Sequence, residues 1–86
     1  MKITKPEDLS VDSAIVEDLI AEFEMELSKV IPGCNYYSVK IYSREKRMQV
    51  LEKIQEAYLA AGWGRAVCYA HDHSDAIDLD LYRHSN

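Results

Sequence analysis

The feature that most restricts how this chain can fold is a repeated switch in the period of its apolar residues. Val16, Leu19, Ile20, Phe23 and Leu27 recur at spacings of three and four, which places them on one stripe of a helix. Tyr37, Val39 and Ile41 then alternate with Tyr36, Ser38, Lys40 and Tyr42, the period of a strand buried on one face. Helical spacing returns at Met48, Leu51, Ile54, Tyr58 and Ala61, and alternation returns at Ile77, Leu79 and Leu81, with Asp78, Asp80 and Tyr82 on the opposite side. The expected order is therefore helix, strand, helix, strand, strand. Two helical stripes and inward strand faces bury one another when both helices cover one side of a three-stranded sheet. The fold class is α+β, α-β-α-β-β, with the other side of the sheet exposed or shared with a partner.

Punctuation supports these elements. Ser10, Asp12 and Ser13 each offer an N-cap oxygen for the first helix, and acids crowd its start, where the macrodipole favours them. Pro32 and Gly33 are expected to stop it. Ser43 is the expected cap of a second helix over residues 44 to 61, closed by Gly62 as a left-handed C-cap. Residues 65 to 71 and 76 to 82 read as a hairpin around Asp72, His73, Ser74 and Asp75. In its first strand the inward set stays open: Val67 and Tyr69, or Ala66, Cys68 and Ala70. The neighbour of the first strand is equally open, and a right-handed crossover is expected wherever it lies parallel to the second. Residues 1 to 10 hold a proline and no sustained period, and read as an extended arm. Trp63 is expected to plug the end of the core.

At 86 residues the chain suits one domain, 1 to 86, since this size buries roughly two thirds of its unfolded surface in one core. Its 48% hydrophobic and 29% charged residues are those of a folded domain and not of a disordered segment. The longest apolar runs fall far below the roughly 20 residues that span a bilayer, and residues 1 to 9 lack a signal peptide's apolar core. The expectation is a cytoplasmic protein, not membrane-bound, with Cys34 and Cys68 as free thiols, since they form no CxxC pair.

Charge is distributed in blocks. Glu7 to Glu26 contains eight acids and no base, Lys29 to Lys53 six bases and two acids, and Ala66 to Tyr82 four acids and no Lys or Arg. A net charge of −5 argues against a nucleic-acid partner, which calls for a basic face. Three groups of residues stand out. Tyr36, Lys40, Tyr42, Asp78, Asp80 and Tyr82 share the open side of the sheet, and tyrosines edged with both charges suit a protein partner or a second copy of the chain as a homodimer. Ser43, Arg44, Lys46 and Arg47 open the second helix, where cations oppose the macrodipole at about 0.3 to 1 kcal/mol each. Free N–H groups there suit a phosphate or nucleotide, though the same cations suit pairing with helix-one acids or simple hydration. His71, His73 and Asp75 have the spacing of an HxHxD metal set, in a segment whose composition also makes an ordinary turn. The residue after Asp75 is alanine, and the chain is too short for the metallo-β-lactamase fold that the motif resembles. No nucleophile elbow is present and no cofactor is implied.

Residues 46 to 83, with KIQEAYLAAGW closing a helix before a short hairpin, resemble small uncharacterised proteins encoded by tailed bacteriophages. The likeness rests on Tyr58, Ala61, Gly62 and Trp63. It implies a protein of the infected cell's cytoplasm that binds and modulates a host factor or serves in virion assembly, and it carries over no catalytic residue. Together these readings favour a non-enzymatic binding protein.

Overall fold

The computed structural model of the chain describes residues 13–84; the expected arm and the cap candidates Ser10 and Asp12 lie outside them. Two helices and one sheet appear in the expected order: α1 (Ser13–Leu27), β1 (Tyr36–Tyr42), α2 (Met48–Ala60), β2 (Arg65–Ala70) and β3 (Ala76–Tyr82). The strands lie in the order β1-β3-β2, and both neighbouring pairs are antiparallel. The last strand is thus the central one, and β1 and β2 run parallel to each other without touching. The strand–helix–strand segment spans a gap that β3 fills. That position suits β3, whose alternate residues Ile77, Leu79 and Leu81 are fully buried.

Both helices cover one face. From α1, Leu19 and Phe23 are buried, with Ile15, Val16, Ile20 and Leu27 packed around them. From α2 come Val50, Leu51, Ile54 and Tyr58, and from the sheet Val39, Ile41, Ala66, Cys68, Ile77, Leu79 and Leu81. The open choice in β2 is settled by this layer: Ala66, Cys68 and Ala70 turn to the helices, and Val67 and Tyr69 to the other side. Small side chains let α2 lie close over β2.

The second helix starts later than its pattern implied. Ser43 to Arg47 are non-helical, and Arg47, with extended backbone (φ −68°, ψ 127°), is the N-cap. The cause is local. Glu45 accepts the Arg47 backbone N–H at 3.1 Å and its guanidinium at 2.7 and 2.9 Å, while the Ser43 hydroxyl accepts the Glu45 N–H at 3.2 Å. Residues committed to these side-chain bonds cannot enter the helical ladder. With the start moved to Met48, that residue overhangs the core at 65% exposure, Ala61 is exposed as well, and Val50 takes a fully buried place in the stripe.

The helix ends differ in kind. α1 stops at Leu27, ahead of Pro32 and Gly33, as Lys29 and Val30 donate to the carbonyls three residues back and tighten the last turn. In α2, Ala61 is the C-cap, Gly62 has φ +114°, its N–H reaches the Leu59 carbonyl, and the Trp63 N–H reaches that of Tyr58. This is a Schellman motif, and its left-handed residue is the glycine. It delivers Trp63 to the core's edge, partly buried, edge-on to Tyr37 at 5.8 Å.

Candidate functional site

The face of the sheet away from the helices is built in cross-strand rows. Register aligns Tyr36, Tyr82 and Arg65; then Ser38, Asp80 and Val67; then Lys40, Asp78 and Tyr69; with Tyr42 opposite Ala76 at the end. Side chains alternate along strands, so one period-two pattern per strand brings Tyr36, Lys40, Tyr42, Asp78, Asp80 and Tyr82 onto one surface. In the first row the Tyr36 and Tyr82 rings lie 4.8 Å apart, and the Arg65 guanidinium carbon sits 5.3 Å from the Tyr82 ring centre. In the second, the Ser38 hydroxyl donates to Asp80 at 2.7 Å. Tyr36, Tyr42 and Tyr69 remain substantially exposed.

The centre of this face is drier than an uncovered sheet implies. Asp78 is only 9% exposed, screened by its neighbours on β1 and β2. His71 Nε2 stands at ion-pair distance, 3.0 Å, from Asp78 Oδ2 without a hydrogen bond between them, and Asp78 Oδ1 is buried without a hydrogen-bond partner. The Tyr69 phenol is pushed up to about 12, by burial first and the Asp78 carboxylate second, and its ring lies 5.7 Å from that of His71. Arg65, Val67, Tyr69 and His71 were not read from the sequence as part of this surface. Their signal was the hairpin register, hidden while the inward side of β2 stayed open.

The other two groups lie at the loop before α2 and at the hairpin turn. Ser43, Arg44, Lys46 and Arg47 precede α2 without opening it: Arg47 is clamped by Glu45, and Arg44 lies 3.3 Å from Asp75. The Arg47 guanidinium holds the Glu45 carboxyl below the usual carboxylate range. Of the residues expected to meet an anion at the helix start, Arg44 and Arg47 therefore face acids of the hairpin turn and of their own loop, and the Ser43 hydroxyl accepts a backbone N–H. His71, His73 and Asp75 do not converge. Asp75 faces Arg44 and His71 faces Asp78, and among the described residues no three His, Cys, Asp or Glu side chains are placed to hold a metal ion.

A cleft of about 370 Å³ opens at the Trp63 end, with Tyr37, Tyr58, Glu24 and Arg83 among its walls. Several of its polar groups bond each other or the backbone: Tyr58 donates to Glu24 at 2.9 Å, and Arg83 Nε to the Cys34 carbonyl at 3.1 Å. Cys34 is exposed and Cys68 buried, and both are free thiols. No helix among the described residues is long and apolar enough to cross a membrane. Comparison with protein-family models, with curated proteins and with solved structures finds no match, so the molecule's own geometry carries the functional argument.

Proposed function

We propose that this chain is a non-enzymatic protein-binding module that meets its partner on the open sheet face. The observation that carries the reading is the clustering of Tyr36, Tyr42, Tyr69 and Tyr82, with Arg65 stacked among them, on the one sheet side that neither helix covers. Tyrosine and arginine combine large contact area with polar tips, and they dominate protein interfaces for that reason. Lys40 and Arg65 beside Asp78 and Asp80 give the surface both signs of charge, which favours orientation over sheer affinity. Such a module acts by occluding a partner's surface, and on the resemblance of residues 46 to 83 to phage proteins that partner is a bacterial host factor.

Substituting Tyr36→Ala and Tyr82→Ala together tests this. Affinity capture from a bacterial extract is expected to lose the protein retained by the parent chain, while the melting temperature shows the variant still folded. Unchanged capture by the folded variant, with light scattering showing the parent chain monomeric, would overturn it.

A further inference from the structure

The two borders of the sheet are treated differently. The Ser43 N–H bonds the Asp75 carbonyl and the Arg83 N–H bonds the Asn35 carbonyl, so in this register the odd-numbered residues of β1 face β3. The even-numbered residues turn their backbone groups outward. Four N–H and four C=O groups, those of Tyr36, Ser38, Lys40 and Tyr42, line this border and meet no hydrogen-bond partner among the described residues. On the β2 border the same parity turns Ala66, Cys68 and Ala70 outward, but there α2 reaches down: the Gln55 side-chain oxygen accepts the Cys68 N–H at 2.8 Å. Natural sheets usually blunt an unpaired border. Grooves of similar size flank both borders, about 420 Å³ beside β2 and about 450 Å³ beside β1. The β2 border is blunted at the Cys68 N–H, and the β1 groove is walled by Glu22, Met25 and Glu26 of α1 and by Lys40, Ile41 and Tyr42 of β1.

We propose that the β1 border accepts a fourth strand from a partner protein, an extended segment that places alternate basic side chains in the groove between α1 and β1. This rests on the protein-binding reading and names the kind of partner. Strand addition takes affinity from the backbone groups and selectivity from side-chain pockets on alternate residues. The groove supplies the selectivity: Glu22 and Glu26 set two carboxylates against the one cation lining it, Lys40, the exposed Glu26–Lys29 pair at 3.3 Å being open to exchange in water, and Met25, 65% exposed, gives an apolar wall. A basic stem with its methylenes on Met25 and its head between the two carboxylates satisfies both. A second copy does not fit this border through its own β1. Pairing β1 with β1 sets two α1 helices side by side, and each carries Glu17, Asp18, Glu22, Glu24 and Glu26 with no Lys or Arg.

Amide hydrogen exchange read by NMR tests the proposal, with a blocked seven-residue peptide alternating lysine and valine as the probe and its glutamate–valine counterpart as control. The lysine peptide is expected to slow exchange at Ser38 and Lys40 at least tenfold, the glutamate peptide to leave it unchanged, and the Glu22→Lys, Glu26→Lys variant to lose the effect. Equal protection by both peptides, or none by either, overturns the proposal. So does protection of the free protein that grows with its concentration, which identifies a second copy, or that is present at any dilution, which identifies the chain itself as the occupant. If host-protein capture depends on Tyr82 while these amides stay unprotected, the face reading stands and this inference falls.

Discussion

Asp78 occupies the least comfortable position of any acid described. A carboxylate at the middle of a sheet, with one oxygen lacking a donor, opposes folding by its desolvation. That cost falls on the face proposed for recognition. Three other groups, Cys68 and Tyr58 in the core and the more exposed Tyr69, shape the molecule's response to alkali. Burial raises the Cys68 thiol to about 12, helped by the Asp78 charge. Burial and the bond to Glu24 raise the Tyr58 phenol well above its ordinary value, and Tyr69 rises for like reasons. For all three the fold prefers the protonated form, so their stabilisation is complete below the unfolded-chain values, about 8.5 for a thiol and about 10 for a phenol. It is lost as pH climbs toward the folded values. The melting temperature is expected to be insensitive to these groups near neutrality and to fall above about pH 8.5, and the Cys68→Ala variant to delay the onset of that fall toward about pH 10. A thermal-denaturation series in pH checks both.

Each helix joins the core through a narrow stripe, so neighbouring positions on one helix differ sharply in weight. Phe23 is fully buried and Met25, two residues on, is 65% exposed. Phe23→Ala is expected to cost about 3 to 5 kcal/mol, a large part of the roughly 5 to 15 kcal/mol that holds a domain together. Met25→Ala should stay within about 0.5 kcal/mol. Urea titration distinguishes the two. The same contrast shows what the sequence reveals. Stripes such as Leu19, Phe23, Ile54 and Tyr58, and the alternation of β1 and β3, were legible because burial repeats with the backbone's own period. So was the common face of Tyr36, Lys40, Tyr42, Asp78, Asp80 and Tyr82. The start of α2 was not, because the Glu45–Arg47 clamp overrides the local pattern around Ser43. Nor was the orientation of β2, where the small Ala66, Cys68 and Ala70 won the inner side from the larger Val67 and Tyr69 only because α2 lies directly above.

For the molecule as a whole, the arrangement is lopsided: helices on one side, aromatic rows on the other, and a sheet whose two margins are finished differently. Gln55 matters most at this scale. On the proposed strand addition at β1, the Gln55 side-chain amide, bonded to the Cys68 N–H, opposes a second addition at β2, so the assembly is expected to end after one step. Removing that amide exposes a second margin, and two unlike sticky margins on one body are the condition for open-ended, head-to-tail growth. The Gln55→Val chain is accordingly expected to form species that lengthen with time and concentration in light scattering, while the parent chain keeps a constant size. A variant of constant size would show that α2 seals that margin without its glutamine. On that proposal, a single side chain on α2 separates a terminating connector from a propagating one.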